Sequence, residues 1–162
     1  MVRYLLKEPF TSSIISQYVS SLTGTLKLWT TAAITILSSN FTRNRGTTVT
    51  MSLIRDSDVI IHGNSFSSNH LNDFGEHEAV LDIATFAEQS GSKIHLENNE
   101  FDQNTMNNVL ELRHLGGRIV PVSITKNNFV ANLARSVVVL DMPEGEIKAN
   151  YFSNVQVTEL VY

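Results

Sequence analysis

The side chains that could perform acid–base chemistry in this chain are few and scattered. Asp82 and Glu111 each stand in the middle of an apolar–charged–apolar triplet, and Glu97 follows His95 by two residues. Glycoside hydrolysis needs two converging carboxyl groups, and eliminative cleavage of a polyuronate needs a cation site with a basic side chain nearby. We expect Asp82 and Glu111 to be exposed neighbours that Arg113 neutralises, so that the chain assembles no catalytic set.

A metal site is the chemistry that a second group of side chains suggests: His70, Asp73, Glu76, His77 and Glu78. Their spacing does not reproduce a ligand motif such as His-Glu-x-x-His. A solvated acidic loop is therefore the simpler interpretation. We expect no metal ion and no cofactor.

The composition excludes several classes of function. The 162 residues are enough for one domain with a buried core, and 42% of them are hydrophobic while only 17% are charged. Because cysteine is absent, disulfides, zinc–cysteine sites and thiol catalysis are excluded. The formal net charge of −4 argues against nucleic acid as a partner, and no apolar run is long enough to insert directly into a membrane.

An internal repeat organises most of the chain. Five segments superpose on phenylalanines that lie 25, 35, 28 and 23 residues apart: Phe41, Phe66, Phe101, Phe129 and Phe152. An asparagine stands two residues before four of them: Asn64, Asn99, Asn127 and Asn150. Another asparagine stands three residues after four of them: Asn44, Asn69, Asn104 and Asn132.

The segments around this repeat have the period of two that is typical of β-strands. Apolar triplets recur between the phenylalanine segments: Leu26–Leu28, Met51–Leu53, Leu81–Ile83, Leu110–Leu112 and Val138–Leu140. A repeat of about 20–30 residues with short strands and no helical period indicates a β-solenoid. We therefore predict an all-β fold in which the phenylalanines form one inward column. A second, aliphatic column should contain Ile36, Ile61, Leu96, Ile124 and Ile147.

The asparagines before the phenylalanines are predicted to form a structural ladder at a corner of each coil. Asparagine tolerates the left-handed conformation that such a corner often needs, and its amide can bond to the amide of the next coil. The alternative is a row of ligand-binding amides along the surface.

The pattern Ile-x-Ile-x-x-Asn-x-Phe-x-x-Asn resembles the parallel β-helix repeat of pectate-lyase-like proteins and of many non-enzymatic surface proteins. The resemblance covers Leu26 to Tyr162 and implies a right-handed parallel β-helix of about five to six coils. The Asp-Asp, Gly-His-Gly and Arg-Ile-Lys motifs of the enzymes in this family do not occur in the sequence. The chain is also similar in type to β-helix regions of large animal cell-surface proteins, such as the Bark beetle (Anakonda) proteins of tricellular junctions.

The expected domain is a single β-helix spanning residues 1–162. Residues 1–25 should form a degraded coil or a partial cap, with Tyr18, 23 residues before Phe41, as its candidate aromatic residue. Because neither end has a recognisable cap, we expect a fragment of a longer solenoid.

A non-catalytic scaffold for protein contact, outside the cell or at its surface, is the function that these features favour. Its expected partners are other protein domains, including further coils of its own β-helix. The alternative is a β-helix that cleaves or binds carbohydrate, so glycans remain possible ligands. Asn40 begins an Asn-Phe-Thr sequon and is a candidate glycosylation site with a solvent-facing side chain.

Overall fold

The computed structural model describes residues 3–6, 13–15, 18–20, 25–30, 33–53, 58–70, 79–86, 93–117, 119–141 and 144–157. All regular elements in these ranges are β-strands. In chain order they are β1 (Arg3–Leu6), β2 (Ser13–Ile15), β3 (Tyr18–Ser20), β4 (Thr25–Thr30), β5 (Ile34–Leu37), β6 (Asn40–Thr42), β7 (Val49–Leu53), β8 (Val59–His62), β9 (Ser65–Ser67), β10 (Ala79–Thr85), β11 (Ile94–Glu97), β12 (Glu100–Asp102), β13 (Thr105–His114), β14 (Val122–Thr125), β15 (Asn128–Val130), β16 (Leu133–Asp141), β17 (Gly145–Lys148), β18 (Tyr151–Ser153) and β19 (Gln156–Val157).

Successive strands belong to three parallel sheets in turn. Sheet A has seven strands in the order β1-β4-β7-β10-β13-β16-β19. Sheet B has six strands, β17-β14-β11-β8-β5-β2, and sheet C has six, β18-β15-β12-β9-β6-β3. Each strand pairs with the strand three places further along the chain, so one coil consists of a B strand, a C strand and an A strand. The predicted all-β fold is confirmed, and the arrangement is a parallel β-helix solenoid.

The inward columns form as the sequence predicts. In sheet B the register pairs Ile36 with Ile61, Ile61 with Leu96, Leu96 with Ile124 and Ile124 with Ile147. In sheet C the five phenylalanines pair in the same way. Both columns are fully buried up to the last coil, because the alternate residues of each strand point into the interior between the sheets.

The register of the strands adds two details to the repeat. Leu81 pairs with Val49 and Ile83 with Met51, so the triplet Met51–Leu53 is displaced by two residues relative to the other triplets in sheet A. A shift of two leaves the same side chains inward, which is why the alternation did not reveal it. At the first coil Val19, not Tyr18, is in register with Phe41.

The outer faces differ between the sheets. In sheets B and C the outward residues are partly or fully exposed, as in β11 and β12. In sheet A every residue of β10 is buried, including those that point away from the interior. Charged side chains in the middle of sheet A are therefore shielded from solvent, whereas those of sheet B are open to it.

Candidate functional site

The first asparagine ladder lies at the corner between sheets B and C, which we call corner 1. The backbone N–H and the Nδ2 of Asn64 both donate to the Oδ1 of Asn99, at 3.0 Å each. Asn99 donates in the same way to Asn127, at 2.9 Å for both bonds. The remaining Nδ2 hydrogen of Asn99 goes back to the carbonyl oxygen of Ile61 at 2.8 Å. The side-chain amide of Asn99 therefore has hydrogen-bond partners for both Nδ2 hydrogens and for Oδ1 within the stack of coils.

A second ladder, whose recurrence the sequence shows but whose role we did not predict, lies at corner 2, between sheets C and A. Asn69 donates from its backbone N–H and Nδ2 to Asn104, at 3.0 and 2.8 Å. Asn104 donates to Asn132 at 3.0 and 2.9 Å, and its other Nδ2 hydrogen reaches the carbonyl oxygen of Phe66 at 2.9 Å. Both ladders are buried, so these amides are committed to holding adjacent coils together.

The predicted left-handed conformation is not at the ladder asparagines. At corner 1 the residue before each ladder position has positive φ: Ser38, Gly63, Asn98, Lys126 and Ala149. At corner 2 the corresponding residues are Arg43, Ser68, Gln103, Ala131 and Asn154. The chain bends just before the ladder position, which then places its amide inward. Tolerance of the left-handed conformation therefore does not explain why asparagine occupies the ladder positions. The explanation is that its side chain supplies both the donors and the acceptor of the hydrogen bonds between coils.

The phenylalanine column is regular. Phe41, Phe66, Phe101, Phe129 and Phe152 stack with ring centroids 4.9 Å apart and with nearly parallel planes. This spacing equals the separation of hydrogen-bonded strands, so each ring rests on the ring of the neighbouring coil. The first four rings are fully buried, while Phe152 is 48% exposed.

The best-formed cluster of charged side chains lies in sheet A, where Asp82 and Glu111 pair in register on β10 and β13. Arg113 donates from Nη2 to both carboxylate oxygens of Asp82 at 2.8 Å, and its Nε lies 3.4 Å from Glu111 Oε1. Asn108 donates to the other oxygen of Glu111 at 2.8 Å. The expected pairing with Arg113 is present, but the expected exposure of the two acids is wrong, since they are only 5% and 4% exposed.

Arg113 is the cation that contacts both acids of this cluster. Burial lowers the pKa of its guanidinium, but the hydrogen bond and charge of Asp82, together with the charge of Glu111, outweigh burial and hold the pKa above its ordinary value. The arginine therefore remains a cation, and its contacts orient the side chains of Asp82 on β10 and Glu111 on β13. Such an arrangement ties adjacent coils together.

A second charged group is exposed on the outer face of sheet B. Lys126 Nζ lies 2.8 Å from Glu97 Oε1, and His62 Nδ1 lies 3.7 Å from Glu97 Oε2. The hydrogen bond from Lys126, followed by its charge, lowers the pKa of Glu97 below its ordinary value. His95, two residues before Glu97, pairs in register with Ile60 and not with His62, so the two histidines occupy different positions on the sheet.

An open groove of about 270 Å³ lies beside this group, along the edge of sheet B near the last coil. Its polar lining comes from Lys93, His95, Ser123, Glu144 and Glu146. Three of these, His95, Ser123 and Glu146, are in register on successive strands. Pro121, Val122 and Gly145 complete the lining, whose exposed surface is more apolar than polar.

Three further expectations concern Asn40, the metal cluster and the membrane. Asn40 lies in β6 and is half-buried rather than solvent-facing; its Oδ1 is buried and lacks a hydrogen-bond partner within the described part of the chain.

Of the candidate metal ligands only His70 is described, and it is exposed; Asp73, Glu76, His77 and Glu78 lie outside the described residues. The described residues contain no group of three or more potential metal ligands, nor any helix that could cross a membrane.

Comparison of the chain with protein family models, with curated proteins and with solved structures finds no match. What this chain does therefore has to be inferred from the chemistry of its own residues.

Proposed function

We propose that this chain is a non-catalytic β-helix scaffold in an extracellular or cell-surface protein. The observation that carries this proposal is the use of the repeated residues. The two ladders and the phenylalanine column use the side chains that recur along the repeat, as the amide of Asn99 illustrates. What varies from coil to coil is the outer surface, which is the part that a scaffold presents to partner domains.

The acidic side chains support the same function. Asp82 and Glu111 are held by Arg113, and the pKa of Glu97 is lowered by Lys126. A general acid for glycoside cleavage needs a raised pKa beside a second carboxylate that stays ionised. The pKa of Glu97 is shifted in the opposite direction, and Asp82 and Glu111 are engaged by Arg113, so these acids are arranged for ion pairing and not for proton donation.

The family and the location belong to the proposal as well. A right-handed helix of the pectate-lyase-like kind, used for adhesion or junction assembly as in large animal surface proteins, agrees with the parallel sheets and with the repeat motif. Expression in secreting animal cells tests the location. The readout is folded protein in the culture medium and not a glycan at Asn40, because the side chain of Asn40 is half-buried with its Oδ1 enclosed.

Assays of turnover test the absence of catalysis. Purified protein incubated with pectin, alginate and glycosaminoglycans, with and without calcium, should release no reducing ends and no unsaturated products. Turnover that disappears in Glu97→Gln or Asp82→Asn but persists in Glu100→Gln, an exposed acid on sheet C, would overturn the scaffold function and establish an enzyme.

Carbohydrate binding without cleavage is the second candidate, and the groove beside His95 is the observation that favours it. A glycan array is its test. Binding that is lost in His95→Ala and in Glu146→Gln, but kept in His62→Ala outside the groove, would establish this second function. If no glycan binds, protein contact remains as the use of the outer faces.

A further inference from the structure

The residues on either side of each ladder asparagine at corner 2 face outward, because the asparagine between them is buried. In three successive coils these flanking pairs are Arg43 with Arg45, Ser68 with His70, and Gln103 with Thr105. Both arginines and the histidine are exposed. We call Arg43, Arg45 and His70 the basic corner.

The backbone holds the basic corner in place. The N–H of Arg43 donates to the carbonyl oxygen of Ser67 on the next coil at 3.1 Å, and the N–H of His70 donates to that of Asn44 at 2.9 Å. Arg45 and His70 form a parallel bridge, so their Cα atoms lie about 4.8 Å apart. The spacing of the three side chains is therefore set by the fold and does not depend on a ligand.

The two arginines of the basic corner differ from other cations of the chain. Arg113, Lys126 and Lys148 each lie within 3.7 Å of a carboxylate oxygen. Within the described part of the chain, neither Arg43 nor Arg45 forms an ion pair. Their guanidinium groups can therefore bind an external anion without first breaking a salt bridge.

The surroundings of the basic corner are polar. Asp102 stands two coils beyond Thr42, the residue before Arg43, and its Oδ2 accepts a hydrogen bond from Gln103 Nε2 at 3.1 Å. The flanking positions of the three coils contain only polar or charged residues. A protein partner would need an apolar or aromatic centre to its interface, whereas a linear polyanion needs only fixed cations and hydrogen-bond donors.

We propose that the basic corner binds the oxyanion groups of an acidic polysaccharide. This inference rests on the proposed extracellular scaffold function and names a partner for it. Each guanidinium presents a planar fork of N–H donors to one oxyanion, and the ring of His70 has an N–H donor in either protonation state. The hydroxyl groups of Ser68 and Thr105 add donors along the stack. The site lies between sheets C and A, apart from the groove on sheet B.

Fluorescence anisotropy with labelled heparin and hyaluronan oligosaccharides tests the proposal, and their comparison distinguishes sulfate from carboxylate as the preferred group. The double variant Arg43→Gln, Arg45→Thr removes both cations. Glutamine and threonine occupy the equivalent positions of a later coil, as Gln103 and Thr105, so the corner should still form. We expect this variant to bind the preferred oligosaccharide about tenfold more weakly than the wild type, or weaker still.

A matched control removes two exposed cations elsewhere, in the double variant Lys27→Gln, Lys93→Gln. It changes the net charge by the same amount and should alter the affinity by less than about twofold. Thr105→Arg makes the opposite change: residue 105 pairs with His70 as Arg45 does on the other side, so binding should tighten about threefold or more. Circular dichroism verifies that each variant is folded.

Three results would overturn the basic corner as a polysaccharide site. The first is that the wild-type chain binds neither oligosaccharide at an ionic strength of about 50 mM. The second is an equal loss of affinity in the two double variants, which would mean that net charge alone governs binding. The third is tighter binding of polyglutamate than of either oligosaccharide, which would make the partner an acidic protein segment. None of these results concerns turnover, so they leave the scaffold function standing.

Discussion

Replacing Phe101 with alanine removes the central ring of the phenylalanine column. Phe101 is fully buried and stacks on Phe66 and on Phe129, with centroid distances of 4.9 Å on both sides. Emptying an aromatic core site costs about 3–5 kcal/mol, and the two flanking rings place Phe101→Ala at the upper end of that range. The substitution spares the ladder bond from Asn132, because that bond ends on the backbone oxygen of residue 101.

The same change at the end of the column should cost much less. Phe152 is 48% exposed and stacks on one ring only, so about half of the burial is at stake and we expect Phe152→Ala to cost about 1.5–2.5 kcal/mol. Phe86 is the matched control: it is 43% exposed and belongs to no ring stack among the described residues. The excess cost of Phe152→Ala over Phe86→Ala should equal one stacked pair, about 0.5–1.5 kcal/mol.

Urea unfolding followed by circular dichroism measures the free energy of unfolding of each of these three variants and of the wild-type chain. The expected order of destabilisation is Phe101→Ala, then Phe152→Ala, then Phe86→Ala. Equal losses for Phe101→Ala and Phe152→Ala would refute the reasoning, because they would mean that the second flanking ring and the deeper burial contribute nothing.

Substitutions at three further positions, Asn98, Arg113 and Lys126, test the corners and the charged groups. Asn98→Val should lower the free energy of unfolding by about 1–2 kcal/mol and Asn98→Gly almost not at all, because residue 98 has positive φ. Urea unfolding measures both values. A valine variant as stable as the wild type would contradict the left-handed conformation assigned to residue 98. Arg113→Met should cost about 3–5 kcal/mol, since it removes the two hydrogen bonds to the buried Asp82 and the contact with the buried Glu111. Lys27→Met at an exposed site should be nearly neutral, and equal free energies of unfolding for the two variants would contradict a stabilising role for the cluster. Lys126→Met should raise the pKa of Glu97, which NMR titration of its carboxyl carbon measures. The pKa of Glu97 is lower in the folded chain than in the unfolded chain. The stabilisation from Lys126 is therefore present at pH values above the pKa of the unfolded state and disappears as the pH falls through the pKa of the folded state. The wild-type chain and Lys126→Met should consequently approach the same stability in acid.

The sequence predicts those parts of the fold that repeat with a fixed side-chain type. Phe101 and Asn99 stand at the same offset in successive coils, and this regularity was enough to find the column and the ladder. The left-handed corner was misplaced by one residue because the residue types there vary, from Gly63 to Lys126. Those positions are constrained by the backbone alone, and a backbone constraint leaves no uniform residue type to detect.

Burial of the charged cluster could not be read from the local pattern. The alternation of apolar and polar residues around Asp82 correctly assigns its side chain to the outer face of sheet A. This alternation does not indicate whether the outer face is exposed to solvent or covered, and in β10 it is covered. The pairing of Asp82 with Glu111 and Arg113 follows from register, which the repeat does provide. Their shielding from solvent is a property of the folded chain that the alternation within one strand does not signal.

Hydrogen exchange of the asparagine side-chain amides tests the central claim most directly, namely that the repeated asparagines build the stack and do not form a ligand-binding row. In an NMR exchange experiment we expect the Nδ2 hydrogens of Asn64, Asn69, Asn99 and Asn104 to exchange only with global unfolding. Those of the exposed Asn98, Asn128 and Asn154 should exchange rapidly. Rapid exchange at all seven positions would contradict the account, because it would leave the ladder amides open to solvent and available to a ligand.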